Sequence, residues 1–280
     1  MAVASGAPFG ISGEGLLTDA ERSAELVKLT TVFGVRVLAT DVVEDRDLLL
    51  AANVLAQWLD NDEDGRPDNA AVHRQLLRQR CCVVLHLGDW FGEHGSKLPD
   101  PFHTLDVATI NHAWYGMEPG AYSRSPRPGR LRSDLGDATT EETFHMISDL
   151  GYGAEYPDAF GRSETTETAL SKSMDRARGG KFFEVPSEYP DGAWYAYGDT
   201  GCSYICQMSE YIHWGLITLL GLNERRTITS AHSERQQWTL ATARQLRETD
   251  PGLFALLTEP EYRFPTVAPD GRYRAGSSRL

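Results

Sequence analysis

At 280 residues, with 41% hydrophobic and 10% aromatic content, the chain has the composition of a globular protein and can bury one core or a core in two lobes. No apolar run approaches the roughly eighteen residues that a membrane span needs. The formal charge of −13 sets a polyanionic surface against phosphate arrays, which argues against nucleic acid and anionic membranes as partners and favours hard cations. The opening MAVASGAPFGISGEG lacks a basic segment followed by an apolar one, so a cytoplasmic location is expected. Cys81, Cys82, Cys202 and Cys206 are too few and too oddly spaced for a disulfide scaffold. Cys202 and Cys206 can face one another at a helix start, which allows a local disulfide, weak metal binding or plain burial, with burial the expected state.

In chain order, residues 1–17 are small and Gly-rich and read as a flexible N-terminus. Thr18 with Glu21 gives a capping-box start, which predicts a helix through about Val32. The alternation in Val35–Thr40 predicts a strand. Helices follow over 44–59 and, capped by Asp68 or Asn69, over AAVHRQLLRQR, with an acidic loop between them. The apolar run Cys81–Leu87 predicts a buried strand, as does part of 104–110. Residues 118–137, rich in Pro, Gly, Arg and Ser, predict a long loop. Beyond it come helices at about 139–150 and 166–178, a Pro/Gly/Tyr-rich connection at 179–201, a strongly apolar helix at 203–220, and a last helix near 231–247. The tail reads as irregular. The expected fold is α+β, with a small sheet in an N-terminal lobe (18–117) and a mainly helical lobe (138–280), the two forming one compact domain.

On a helical wheel Glu141 and His145 are one turn apart, with Glu142 and Asp149 beside them and Phe144, Met146, Ile147 and Leu150 on the opposite arc. Two ligands at i and i+4 can grip one ion; the alternative is a solvated charged face. The helix over 203–220 bears on the choice, because Glu210 and His213 stand in the middle of an apolar segment. A buried carboxylate is costly unless it is paired or bound to metal. Pairing of Glu210 with an arginine, and an internal hydrogen bond for His213, remain the alternative.

Glu141-Glu142-Thr143-Phe144-His145 resembles the active-site helix of the zincin metallopeptidases, His-Glu-x-x-His, with Glu141 in place of the first histidine. In the gluzincin branch a glutamate from a later helix completes the site, and Glu210 is similar to it in type and placement. The resemblance implies a zincin-like fold, with Glu141, His145 and Glu210 as metal ligands and Glu142 as general base. Three ligands leave a position for water whose pKa the metal lowers. The resemblance makes Zn2+ the first candidate, while two carboxylates and one imidazole form a harder, more anionic donor set that favours Mn2+ or Fe2+ as alternatives. His213 is a second candidate catalytic residue; it, His112, Tyr195, Tyr197, Tyr204 and Tyr211 are candidates for stabilising an oxyanion. The expected activity is hydrolysis of an amide or ester in a peptide or small-molecule substrate.

The same residues permit other chemistry. Glu142-Thr143-Phe144-His145 and Glu210-Tyr211-Ile212-His213 form two Glu-x-x-His motifs, which resemble those of ferritin-like di-iron proteins. Those proteins need two more helical glutamates, for which Glu21, Glu25, Glu44 and Glu167 are the candidates. A lyase or cyclase on a zincin-like fold, and a noncatalytic calcium-braced binding protein, complete the alternatives.

Between the two N-terminal helices, Asp60, Asp62, Asp64 and Asp68 occupy loop positions 1, 3, 5 and 9, with Gly65 at position 6. The run resembles an EF-hand or dockerin-like calcium loop, which implies carboxylate ligands from these aspartates and the Arg66 carbonyl at position 7. Ala71 stands where an EF-hand has its bidentate glutamate. The bland alternative is an Asx-turn loop that caps the next helix. No second loop is found to pair with it, so a Ca2+ ion here is expected to brace structure rather than to signal.

Overall fold

The computed structural model describes residues 9–12, 14–86, 109–111, 138–223 and 237–276. The long loop expected at 118–137 and the candidate His112 lie outside the described residues. The fold is mixed α+β with a small sheet. The chain divides into two compact units, the first Met1–Ser133, Asp137–Leu150 and Pro269–Leu280, the second Asp134–Gly136 and Gly151–Ala268.

In the first unit the Thr18 capping box forms as expected but starts only a short helix, α1 (Asp19–Ser23). Glu25 takes a positive φ of 62°, which ends it. The residues expected to continue it form β1 (Leu26–Val32) instead. Leu-Val-Lys-Leu-Thr-Thr-Val is rich in β-branched side chains, which suit a pleated surface better than a helix. β1 pairs antiparallel with β2 (Val35–Thr40), matching Val32 to Val35 and Leu29 to Leu38. Phe33 and Gly34, at φ 50° and 86°, make a two-residue turn whose positive-φ backbone matches the right-handed twist of the hairpin strands. The buried carboxylate of Glu21 accepts from Arg36 Nε at 2.9 Å and Nη2 at 2.7 Å and so ties α1 to β2.

Helices α2 (Asp45–Leu59) and α3 (Ala70–Arg78, capped by Asn69) supply the crossover to β3 (Cys82–His86). β3 lies parallel to β2, and β4 (Thr109–Asn111) parallel to β3, so the sheet order is β1-β2-β3-β4. Every residue of β3 is buried, as an inner parallel strand requires. α2 covers β1 and β2 and also packs on α4 (Ala138–Met146). There Trp58 Nε1 donates to the Thr140 carbonyl at 3.0 Å, and its ring lies 5.5 Å from that of Phe144.

A π-helical turn, Ile147–Tyr152, follows α4 and carries the chain into the second unit. That unit contains α5 (Ala169–Ala177), α6 (Tyr204–Leu219), α7 (Ala243–Thr249) and α8 (Pro251–Thr258). α8 packs against α5, α6 and α7. It crosses α6 closely at Gly215, where an added Cβ would sit 2.4 Å from Leu253 Cδ2. α8 was not among the expected elements, although Asp250-Pro251 is an N-cap followed by proline at the first helical position. Of the helix expected near 231–247, residues 231–236 lie outside the described set, and α7 begins only at Ala243. Just before it, Trp238 is extended and bridges Tyr195, and Thr242 caps α7 by accepting from the Gln245 amide. The carboxylate of Asp250 is fully buried and accepts from Trp194 Nε1, Tyr211 Oη and the Leu253 amide.

Candidate metal centre

α4 is enclosed on more than its apolar arc. Thr143, Phe144 and Met146 are fully buried and His145 is only 4% exposed, while Glu141 and Glu142 are half-buried. This corrects the picture of a solvated charged face. The cause is packing on two sides, against α2 and against β3 and β4. His145 Nε2 lies 3.9 Å from Glu141 Oε1. That is too long for a hydrogen bond. It is close to the separation of roughly 3.3–3.5 Å between two ligands of one tetrahedral ion bonded at about 2.0–2.1 Å. The π-helical turn begins two residues later, where Ser148 Oγ donates to the His145 carbonyl at 3.2 Å and to Asp149 Oδ1 at 3.1 Å. Such turns recur at functional sites.

In the second unit Glu210 and His213 share α6. Their burial differs from expectation: Glu210 is half-buried, whereas His213 is 4% exposed. The desolvation argument that singled out Glu210 therefore applies more strongly to His213. Three tyrosines expected as oxyanion candidates are committed elsewhere. Tyr195 Oη donates to the Gln207 carbonyl at 2.8 Å, Tyr204 Oη to Asp175 Oδ2 at 3.0 Å, and Tyr211 Oη to Asp250 Oδ2. Burial pushes all three phenols up, and nearby carboxylates add to the rise, chiefly Glu210 for Tyr195, Asp175 for Tyr204 and Asp250 for Tyr211. Cys202 and Cys206, expected to be simply buried, are joined as a disulfide across the start of α6.

The acidic loop closes on itself in the first unit. Asp60, Asp62 and Asp68 each offer a carboxylate oxygen within 4.8 Å of the others. Asp64 is not in that group; its Oδ1 accepts from the Arg66 amide at 2.8 Å. Asp60 accepts from the Asp64 and Gly65 amides at 3.0 and 2.8 Å and from Tyr273 Oη. Gly65, at φ 96°, makes the bend that the spacing anticipates. Burial pushes the Asp60 and Asp68 carboxyls up, with hydrogen bonds offsetting part of the rise; Asp62, Asp60 and Asp64 push Asp68 further.

No family model, curated protein or solved structure matches the chain. Both candidate centres therefore stand on their own residues.

The loop also draws on residues that no local pattern marks. Gln57 Nε2 donates to Glu63 Oε1 at 2.9 Å and to Asp270 Oδ1 at 2.8 Å. The Arg274 amide donates to Glu63 Oε2 at 3.1 Å, and the Gly276 amide to the Glu63 carbonyl at 2.7 Å. The segment 270–276 thus straps the loop from more than 200 residues away, a pairing with no signature in spacing.

Proposed function

We propose that this protein is a metal-dependent enzyme of zincin-like type that hydrolyses an amide or ester bond. In this reading Glu141 and His145, both in the first unit, hold a divalent ion. The observation that carries it is the pairing of Glu141 with an almost fully enclosed His145 at 3.9 Å. One carboxylate and one imidazole leave positions for a further ligand and for water and suit catalytic zinc, with iron or manganese as alternatives.

When bound, the ion lowers the pKa of its water to about 7 and polarises a carbonyl. Glu142 is adjacent in sequence to the ligand Glu141 and half-buried, so it can take the proton as the water attacks. Enclosure of His145 keeps bulk water from its imidazole. The ferritin-like alternative is disfavoured because α4 packs on a sheet and on α2 rather than among four long helices. Calcium at Asp60, Asp62 and Asp68 is proposed as a separate, structural ion.

Elemental analysis together with three variants tests the reading. One zinc, manganese or iron per chain is expected, lost in Glu141→Ala and His145→Ala. Glu142→Gln should keep the metal and lose about 10²–10⁴-fold in turnover of amide or ester substrates. Absence of any transition metal, or full activity in Glu142→Gln, refutes hydrolysis by this site. Two irons per chain would favour the ferritin-like chemistry.

A further inference from the structure

The disulfide at the start of α6 has no part in the proposed hydrolysis. It joins two sulfurs in unequal surroundings. Cys202 is 5% exposed and precedes the N-cap Ser203, whereas Cys206 is half-buried in the first turn of a 16-residue helix. Ser203 Oγ accepts from the Cys206 amide at 3.3 Å, so that turn is capped. The helix dipole at such a position stabilises a thiolate. Behind it, Gln207 Nε2 donates to the Cys202 carbonyl at 3.1 Å, and Gln207 Oε1 accepts from the buried Arg178 at 2.7 Å. Tyr195 Oη holds the Gln207 carbonyl. The backbone that carries Cys202 is therefore held by a buried network independent of the disulfide, with the two Cα atoms 5.3 Å apart. A pair whose two residues differ in shelter and whose backbone is held by other bonds is suited to open and close.

We propose that Cys202–Cys206 is a redox-active disulfide that exchanges two electrons with small thiols or dithiols. The reductant's thiolate attacks Cys206 Sγ, forming a mixed disulfide; the Cys202–Cys206 bond breaks, and its electron pair leaves on Cys202 Sγ, which takes a proton. A second reductant thiol then attacks the mixed disulfide at the reductant's own sulfur, releasing Cys206 as a thiol and leaving the reductant oxidised as a disulfide. Reoxidation runs the same steps backwards, with Cys202 as the resolving thiol. The other two cysteines do not take part: Cys81 and Cys82 are buried in the first unit, burial pushing Cys81 up to about 12 and Cys82 well above the usual thiol range.

The test is titration of the folded wild-type protein against buffers of reduced and oxidised glutathione, followed by acid quench, alkylation and mass measurement. The Cys202–Cys206 pair is expected to pass from oxidised to reduced within the range of millimolar glutathione ratios, and to reoxidise when the ratio is reversed. A pair that stays oxidised throughout in the folded protein, yet is reduced once the chain is unfolded, overturns the proposal. A second measurement assigns the sulfurs: with oxidised glutathione, Cys202→Ser should form its adduct at Cys206 at least about tenfold faster than Cys206→Ser forms one at Cys202. Equal or reversed rates overturn the role given to Cys206. Neither readout depends on a bound metal, so a failed metal assignment and a failed redox assignment give different results.

Discussion

Calcium should stabilise this protein through the acidic loop, and Asp60→Asn should remove the effect. The loop lacks a carboxylate at position 12, where Ala71 stands, so its affinity falls at the weak end of the range for such sites, about 10⁻⁴ M. At about 1 mM free calcium, binding to the folded state alone contributes RT ln(1 + [L]/Kd), about 1.4 kcal/mol. For a cooperative unit of roughly 150 residues that is a rise of about 3–6 °C in Tm. Asp60 is the fully buried carboxylate of the proposed calcium site, and its replacement by an amide removes the charge while leaving one oxygen for the Asp64 and Gly65 amides. The variant's calcium-induced shift should therefore shrink to below about 1 °C, less than the wild type by the full binding term. The pH dependence of the metal-free protein has a definite sign. Asp60 and Asp68 are raised in the folded state, so the folded chain keeps these protons to higher pH than the unfolded chain. Their contribution is fully present below the ordinary value of 3.8 and is lost as pH rises through the folded values. Calcium, which binds the carboxylates, reverses that trend and stabilises more as pH rises. Differential scanning fluorimetry with calcium or chelator across pH reads all of this. A wild-type Tm that ignores calcium, or an equal shift in Asp60→Asn, refutes the calcium assignment.

Two further predictions concern the second unit. Asp250→Ala removes the cap of α8 and leaves Tyr211 Oη and Trp194 Nε1 without their shared acceptor; a loss of about 3–6 kcal/mol in urea denaturation is expected, and a loss below about 1 kcal/mol would show that the network carries little energy. Gly215→Ala gains about 1 kcal/mol of helix propensity but forces Leu253 out of place. A net loss of about 1–2 kcal/mol is expected by the same measurement, and a stabilised variant would show that α6 and α8 do not cross this closely.

Local patterns marked most of the helices. Thr18 with Glu21, Asn69 and Ser203 each begin a helix where their chemistry indicates one. What local patterns could not decide was length. A capping box says where a helix starts, and nothing in it opposed continuing to Val32; the competing information was the β-branched content of Leu26–Val32 and the Phe33-Gly34 turn, which act through pairing with β2. The candidate metal residues divide in the same way. Glu141 and His145 were legible because i and i+4 on one helix are neighbours by geometry alone. The ranking of Glu210 and His213 was not, since on α6 both lie in an apolar segment and only packing decides that His213 is the more enclosed. Tyr273 on Asp60, separated by 213 positions, had no local trace at all.

The tyrosines of the second unit narrow the chemistry that the proposed hydrolysis can use. An oxyanion donor must have its proton directed at the reacting oxygen before the reaction begins, because reorientation costs energy when charge develops. Tyr195, Tyr204 and Tyr211 direct theirs at Gln207, Asp175 and Asp250, and burial with nearby carboxylates holds each phenol firmly protonated. Turning any of them toward a substrate would leave a buried carboxylate or carbonyl short of a partner, at a cost of about 1–3 kcal/mol that a donor hydrogen bond of similar strength would only offset. Their part is to fix α6, which carries Glu210 and His213, against its neighbours. These three are thereby set aside as donors to a substrate carbonyl in the proposed site, and retention of the metal, rather than the integrity of any of the three, is the decisive measurement for that reading.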